Sequence, residues 1–111
     1  MESTRQNKIA RQIQKDLGEI FQGLGHEVLQ GHLTTITVVR ISPDLSLAKV
    51  YLSIFPSSNQ TEFLEQLRKH TKHIRNLLGQ RVRHQLRIVP EIAFFIDDSL
   101  DYVEKIDQLL K

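Results

Sequence analysis

The chain has no cysteine among its 111 residues. That excludes a disulfide framework, a thiolate metal site and a thiol nucleophile, and it suits a reducing compartment. No apolar run approaches the ~20 residues that a membrane span needs. The first residues are polar and basic, without the apolar segment of a signal peptide. A cytoplasmic protein with no membrane partner is the expectation. No Gly-rich phosphate loop is present. The most telling absence is of one charge sign. Residues 66–86 hold Arg68, Lys69, Lys72, Arg75, Arg81 and Arg83, and neither Asp nor Glu. An ordinary solvated helix face mixes signs, because acids offset bases one turn away. Repulsion within an all-basic stretch is tolerable where phosphates neutralise it.

With 40% hydrophobic and 25% charged residues the composition is that of a globular protein. The length predicts one domain over residues 1–111. Beyond Pro90 the balance reverses: Glu91, Asp97, Asp98, Asp101, Glu104 and Asp107 face only Lys105 and Lys111. A basic block followed by an acidic one predicts a one-sided polyanion surface.

Ser3 or Thr4 can cap a first helix, along which Ile9, Ile13, Leu17, Ile20, Phe21 and Leu24 recur at helical spacing. Its polar positions are basic and include Lys8 and Arg11. Gly23, Gly25 and Gly31 then open a loop in which His26 and His32 are expected at the surface. From Leu33 to Ile41 the chain is rich in Thr, Val and Ile, which suit a strand. Ala48, Val50, Leu52 and Ile54 alternate with Lys49, Tyr51, Ser53 and Phe55 in a second. Between them Ser42, Pro43 and Asp44 are turn chemistry, so the strands pair antiparallel.

Asn59 and Glu62 resemble a capping box. The helical period that follows, from Phe63 to Val82, is too long for one unbroken helix, and a break is expected near residues 70–73. Residues 86–97 read as a third strand with Pro90 at an edge or bulge, and residues 99–111 as a short amphipathic helix. Three strands and several helices in this order make an α+β, two-layer domain.

Four blocks carry a family resemblance. They are Asn7 to Lys15; Ser42-Pro43-Asp44-Leu45-Ser46 with Ala48-Lys49-Val50-Tyr51; Ile74-Arg75-Asn76-Leu77-Leu78-Gly79; and residues 86–97 followed by Ser99. In order and spacing they resemble the ribosome-binding factor A family. The resemblance implies a KH-like domain of type II topology, α-β-β-α-α-β, here with an extra C-terminal helix. It implies a non-catalytic assembly factor that binds the small (30S) ribosomal subunit and assists late maturation of 16S ribosomal RNA, notably in the cold. The implied partners are that RNA and neighbouring ribosomal proteins, with no cofactor and a monomer when free. The family replaces the Gly-x-x-Gly loop of ordinary KH domains by a kink, commonly Ala-x-Gly. This chain has His70-Thr71-Lys72 at the matching place and no Gly-x-x-Gly anywhere, so the single-strand clamp of KH domains should be absent.

The candidate RNA-binding residues are Arg68, Lys69, Lys72, Arg75, Arg81 and Arg83, with Lys8 and Arg11 of the first helix. Catalytic residues are not expected, because Ser42 and Asp44 lack a nucleophile elbow and a placed histidine. His70 and His73 stand three apart without a third ligand beside them, so they read as solvated or RNA-facing and no metal site is expected. Asp97, Asp98 and Asp101 fit a helix start better than a metal cluster. Tyr51 and Phe55 are expected to pack on the sheet, since the aromatic pattern of sheet-based RNA readers is missing. The rival reading is a KH-like protein-interaction module not primarily binding RNA, and a small hydrolase is the remote third.

Overall fold

The computed structural model describes residues 4–56 and 58–97. The helix expected over 99–111 lies outside the described residues. The elements run α1 (Thr4–Gly23), α2 (His26–Leu29), β1 (Leu33–Ile41), β2 (Leu47–Phe55), α3 (Gln60–Arg68), α4 (Thr71–Val82) and β3 (Glu91–Ile96). This is the expected α+β order with one addition: α2 is a single helical turn inside the Gly-rich loop.

The strands form one sheet in the order β1-β2-β3. The hairpin is antiparallel, and β3 lies parallel to β2 with Leu47 opposite Glu91 and Leu52 opposite Ile96. A bulge falls between Ile36 and Val38. It shifts the alternation, so that Ile36 before it and Val39 and Ile41 after it are all buried. Two glutamines of α1 secure this strand: the Gln14 side-chain amide lies 3.3 Å from the Ile36 and Thr37 carbonyls, and buried Gln6 donates to the Ile41 carbonyl at 2.8 Å.

The core lies between the sheet and the helices. Ile13 and Leu17 of α1, Ala48, Val50 and Leu52 of β2, Leu67 of α3, and Ile74, Leu78 and Val82 of α4 are fully buried. Phe21 meets Phe94 edge to face at 6.0 Å. On the other side of the sheet Tyr51 stacks on Phe95 with centroids 5.5 Å apart, which is the packing role expected of Tyr51, whereas Phe55 is 70% exposed.

Three local expectations are corrected. β3 begins only at Glu91; Pro90 is buried ahead of it, and Arg87 and Ile88 lie in an exposed bend. Asn59 precedes α3 in the left-handed conformation (φ 62°) and makes no side-chain cap, so there is no capping box. His32 is half-buried, stacked on Phe63 at 4.3 Å, with its Nδ1 buried and unpartnered; only His26 is a surface histidine of that loop.

The helix break is present, but at Lys69 and His70. Lys69 (φ −66°, ψ −20°) and His70 (φ −99°, ψ 8°) keep negative φ. Tight bonds from Lys69 N–H to the Gln66 carbonyl and His70 N–H to the Leu67 carbonyl close the turn. No residue there needs the left-handed region, which explains how His70-Thr71-Lys72 serves without glycine. Lys72 sits inside α4.

Candidate nucleic-acid interface

The eight basic candidates separate into two groups. Arg68, at the end of α3, donates to the Phe94 carbonyl of β3 at 2.8 Å and to Glu65 at 2.8 Å. Arg75 of α4 donates through Nε to the Pro90 carbonyl at 3.0 Å and through Nη2 to the Val89 carbonyl at 2.6 Å, with Glu91 at 3.7 Å. Arg81 pairs with Glu19 and, at 3.6 Å, with the largely buried Asp16 of α1. These three guanidiniums tie helices to the last strand or to each other. Glu91, at the start of β3, faces Arg75 and stays largely exposed.

Helical geometry explains the division. The buried stripe of α4 is Ile74, Leu78 and Val82. Arg75 and Arg81 stand one step to either side of it, at the margins that meet β3 and α1. Lys72 and Arg83 fall on the opposite side, and both are exposed. In α1 the buried positions include Gln6, Ala10, Ile13, Leu17 and Ile20, which leaves Lys8, Arg11 and Lys15 along the outer face. Lys69, at the break, is exposed as well. Lys8, Arg11, Lys69, Lys72 and Arg83 make no hydrogen bond or ion pair among the described residues. Because α1 and α4 pack side by side, their outer faces form adjoining basic surfaces. Lys15 adds a base beyond the eight.

A second feature lies where α1 begins. Two adjoining cavities, of about 300 and 390 Å³, share Arg5, Ile9, Gln85 and Leu86. Lys8 lines the first, and the 44–46 turn with Arg87 and Ile88 lines the second. Nothing in sequence order brings these three stretches together; only the fold does. The turn is rigidly built. Asp44 Oδ1 accepts from the Ser42 hydroxyl at 2.7 Å, the Ser46 hydroxyl at 2.7 Å and the Ser46 N–H at 3.1 Å. The hydroxyls of Ser42 and Ser46, then the Ser46 N–H, hold the Asp44 carboxyl down at about 2. Ser42 Oγ also accepts from Leu47 N–H at 3.0 Å. Leu45 adopts φ 63°, a left-handed conformation unusual for leucine, held by the bonds on both sides. The Ser46 carbonyl accepts from Glu91 N–H at 2.8 Å, so the same turn closes the hairpin and starts β3.

His70 is half-buried at the start of α4, and His73 is exposed. Among the described residues no three His, Asp or Glu side chains gather as metal ligands, and no helix is long and apolar enough to cross a membrane.

Comparison with known proteins gives matches over nearly the whole chain. The family model described as ribosome-binding factor A matches residues 5–110. The chain is 46% identical over 110 residues to ribosome-binding factor A of Cytophaga hutchinsonii, covering 99% of this chain and 83% of that protein. It is 50% identical over 114 residues to that of Flavobacterium johnsoniae, covering 99% and 85%. The crystal structure of ribosome-binding factor A from Thermus thermophilus superposes with a TM-score of 0.68 at 25% identity, over 82% of this chain and 94% of that one. A homology model of the Thermus thermophilus protein, fitted into a cryo-EM map of its complex with 30S, gives 0.65 at 28% identity, over 80% and 91%.

Proposed function

The chain belongs to the ribosome-binding factor A family, and from that membership we propose that it binds the small (30S) ribosomal subunit through 16S ribosomal RNA. It acts there as a non-catalytic cytoplasmic factor in late RNA maturation and adaptation to cold, and is a monomer when free. The observation that carries the reading is the set of five exposed bases, Lys8, Arg11, Lys69, Lys72 and Arg83, unpaired among the described residues and set on the outer surfaces of two adjoining helices. Phosphate neutralisation is the chemistry that such a surface performs, and it positions a partner without reading sequence. Arg68, Arg75 and Arg81 contribute by holding the helices in place.

The test is co-sedimentation with mature and immature small subunits across a salt series. Phosphate binding weakens steeply with salt, and docking through apolar contact does not. Lys8→Ala, Arg11→Ala, Lys72→Ala and Arg83→Ala should each reduce the salt slope by about 1. A folded variant with all four changed to Glu that still sediments with subunits, at an unchanged slope, would favour the protein-interaction module. Cells lacking the protein and grown cold should accumulate immature small-subunit RNA; normal processing there argues against the maturation role.

A further inference from the structure

We propose that the groove between the start of α1, the 42–46 turn and the 83–90 segment takes an unstacked nucleotide of a single-stranded RNA segment. The proposal rests on the RNA-binding reading above and deepens it with a specific site and RNA form.

Three observations converge. The rim is cationic: Arg5 and Lys8 of α1 and Arg87 of the 83–90 segment are all exposed, with no partner among the described residues. The sole acid among the described lining residues is Asp44, whose Oδ1 is already engaged by Ser42 and Ser46. A phosphodiester chain is the partner with complementary charge.

The floor, by contrast, is apolar. Ile9, Leu45 and Leu86 are half-buried within it, and Ile88 stands 75% exposed at its edge. A lone exposed isoleucine is unremarkable on a protein surface. Beside three unpaired cations and over a cleft of about 390 Å³ it is a contact waiting for a flat apolar face. Unstacked bases offer such a face and stack on guanidinium planes or between aromatic and apolar side chains, while a duplex keeps its base faces stacked away and presents phosphates, 2′-hydroxyls and base edges. Finally, the walls are stiff. The Asp44 network and the Ser46–Glu91 bond fix the turn. Gly79 lets α4 approach the far wall, where a Cβ would meet Val89 at 3.3 Å. The site needs little ordering on binding.

This groove shares only Lys8 with the outer basic faces of α1 and α4, so changes at Ile88 and Arg87 on one side and Arg11 on the other test the two apart. Fluorescence anisotropy would compare the full chain binding a labelled single-stranded RNA decamer of mixed sequence and a labelled blunt-ended RNA duplex, at one fixed low salt. Ile88→Ser should weaken the decamer about fivefold, the low end of one base stack because isoleucine offers no aromatic face, and leave the duplex unchanged. Arg87→Ala should act in the same direction. Arg11→Ala should weaken both RNAs alike. Circular dichroism confirms that the variants fold; both changes are at exposed positions. If Ile88→Ser and Arg87→Ala bind both RNAs as the parent does, or lose both equally, the groove does not hold a base, while the wider reading survives through Arg11→Ala. If the parent binds neither RNA nor small subunits, the wider reading fails first. As a second measurement, Ile88→benzoylphenylalanine should photo-crosslink to RNA on immature subunits; crosslinks to a ribosomal protein alone would overturn the proposal in favour of a protein occupant.

Discussion

Arg75→Ala separates a strut from a phosphate contact. The guanidinium joins α4 to the chain just before β3 by two hydrogen bonds, to Pro90 at 3.0 Å and to Val89 at 2.6 Å. Hydrogen bonds from a charged donor contribute ~1.5–3 kcal/mol each when shielded from water. The Arg75 side chain is 34% exposed, so water replaces part of what is lost. The pairing with Glu91, at 3.7 Å and with Glu91 71% exposed, adds little. Taking the lower bound for each bond and discounting again for exposure gives a loss of about 2 kcal/mol. In a domain of this size that lowers the melting temperature by roughly 8–16 °C. Arg75→Lys should recover less than half, because a compact ammonium cannot match the planar fork that reaches both carbonyls. Lys72→Ala is the control, exposed and unpaired, and should stay within ~0.5 kcal/mol of the parent. Urea denaturation of the four proteins, with slopes compared, gives the numbers. If Arg75→Ala unfolds at the parent's midpoint while its RNA affinity falls as far as that of Lys72→Ala, the strut assignment is refuted.

Two further outcomes are expected. Asp44 has a carboxyl held near 2 against an ordinary value of 3.8, so its contribution to stability is fully present above about pH 4 and is lost as pH falls through 2; the stability gap between the parent and Asp44→Asn, measured by denaturation from pH 6 to pH 1.5, should close over that window, and a gap that persists at the acid end argues against the network. His32→Phe keeps the stack on Phe63 and removes a buried unpartnered nitrogen, so stability should rise by about 1 kcal/mol; a lower melting temperature would mean that the nitrogen has a partner in solution.

Much of this fold was legible because local chemistry and tertiary environment agree. The Thr-, Val- and Ile-rich run became β1 with the expected ends, and the Ser-Pro-Asp turn bonds the backbone as its residue types suggest. Where the two levels diverge, the reading stopped. Residues 86–89 have the composition of a strand, yet Pro90 offers no N–H and the ladder starts after it. The bulge at Thr37 leaves no mark in residue type, because Thr and Val suit either face. The four-residue α2 is too short to show a period. The basic positions were half legible: a guanidinium that braces a strand and one that stands in solvent are the same residue type, and only the carbonyls of Phe94, Val89 and Pro90 within reach tell Arg68 and Arg75 from Arg83. The groove was not legible, since Arg5, Leu45 and Ile88 meet only after folding.

The parallel pairing of β3 with the central strand has a kinetic side. The hairpin closes across its own short turn, but Leu47 can meet Glu91 only after the whole excursion through α3 and α4 has been gathered. Closing that long loop costs entropy before any ladder bond returns it. The last strand is therefore expected to dock last and to leave first. Its amides should exchange with solvent sooner than those of the hairpin, and loss of the Arg75 bonds should quicken unfolding while leaving the folding rate nearly untouched. The route by which this protein comes apart runs through the strand that its arginines hold down.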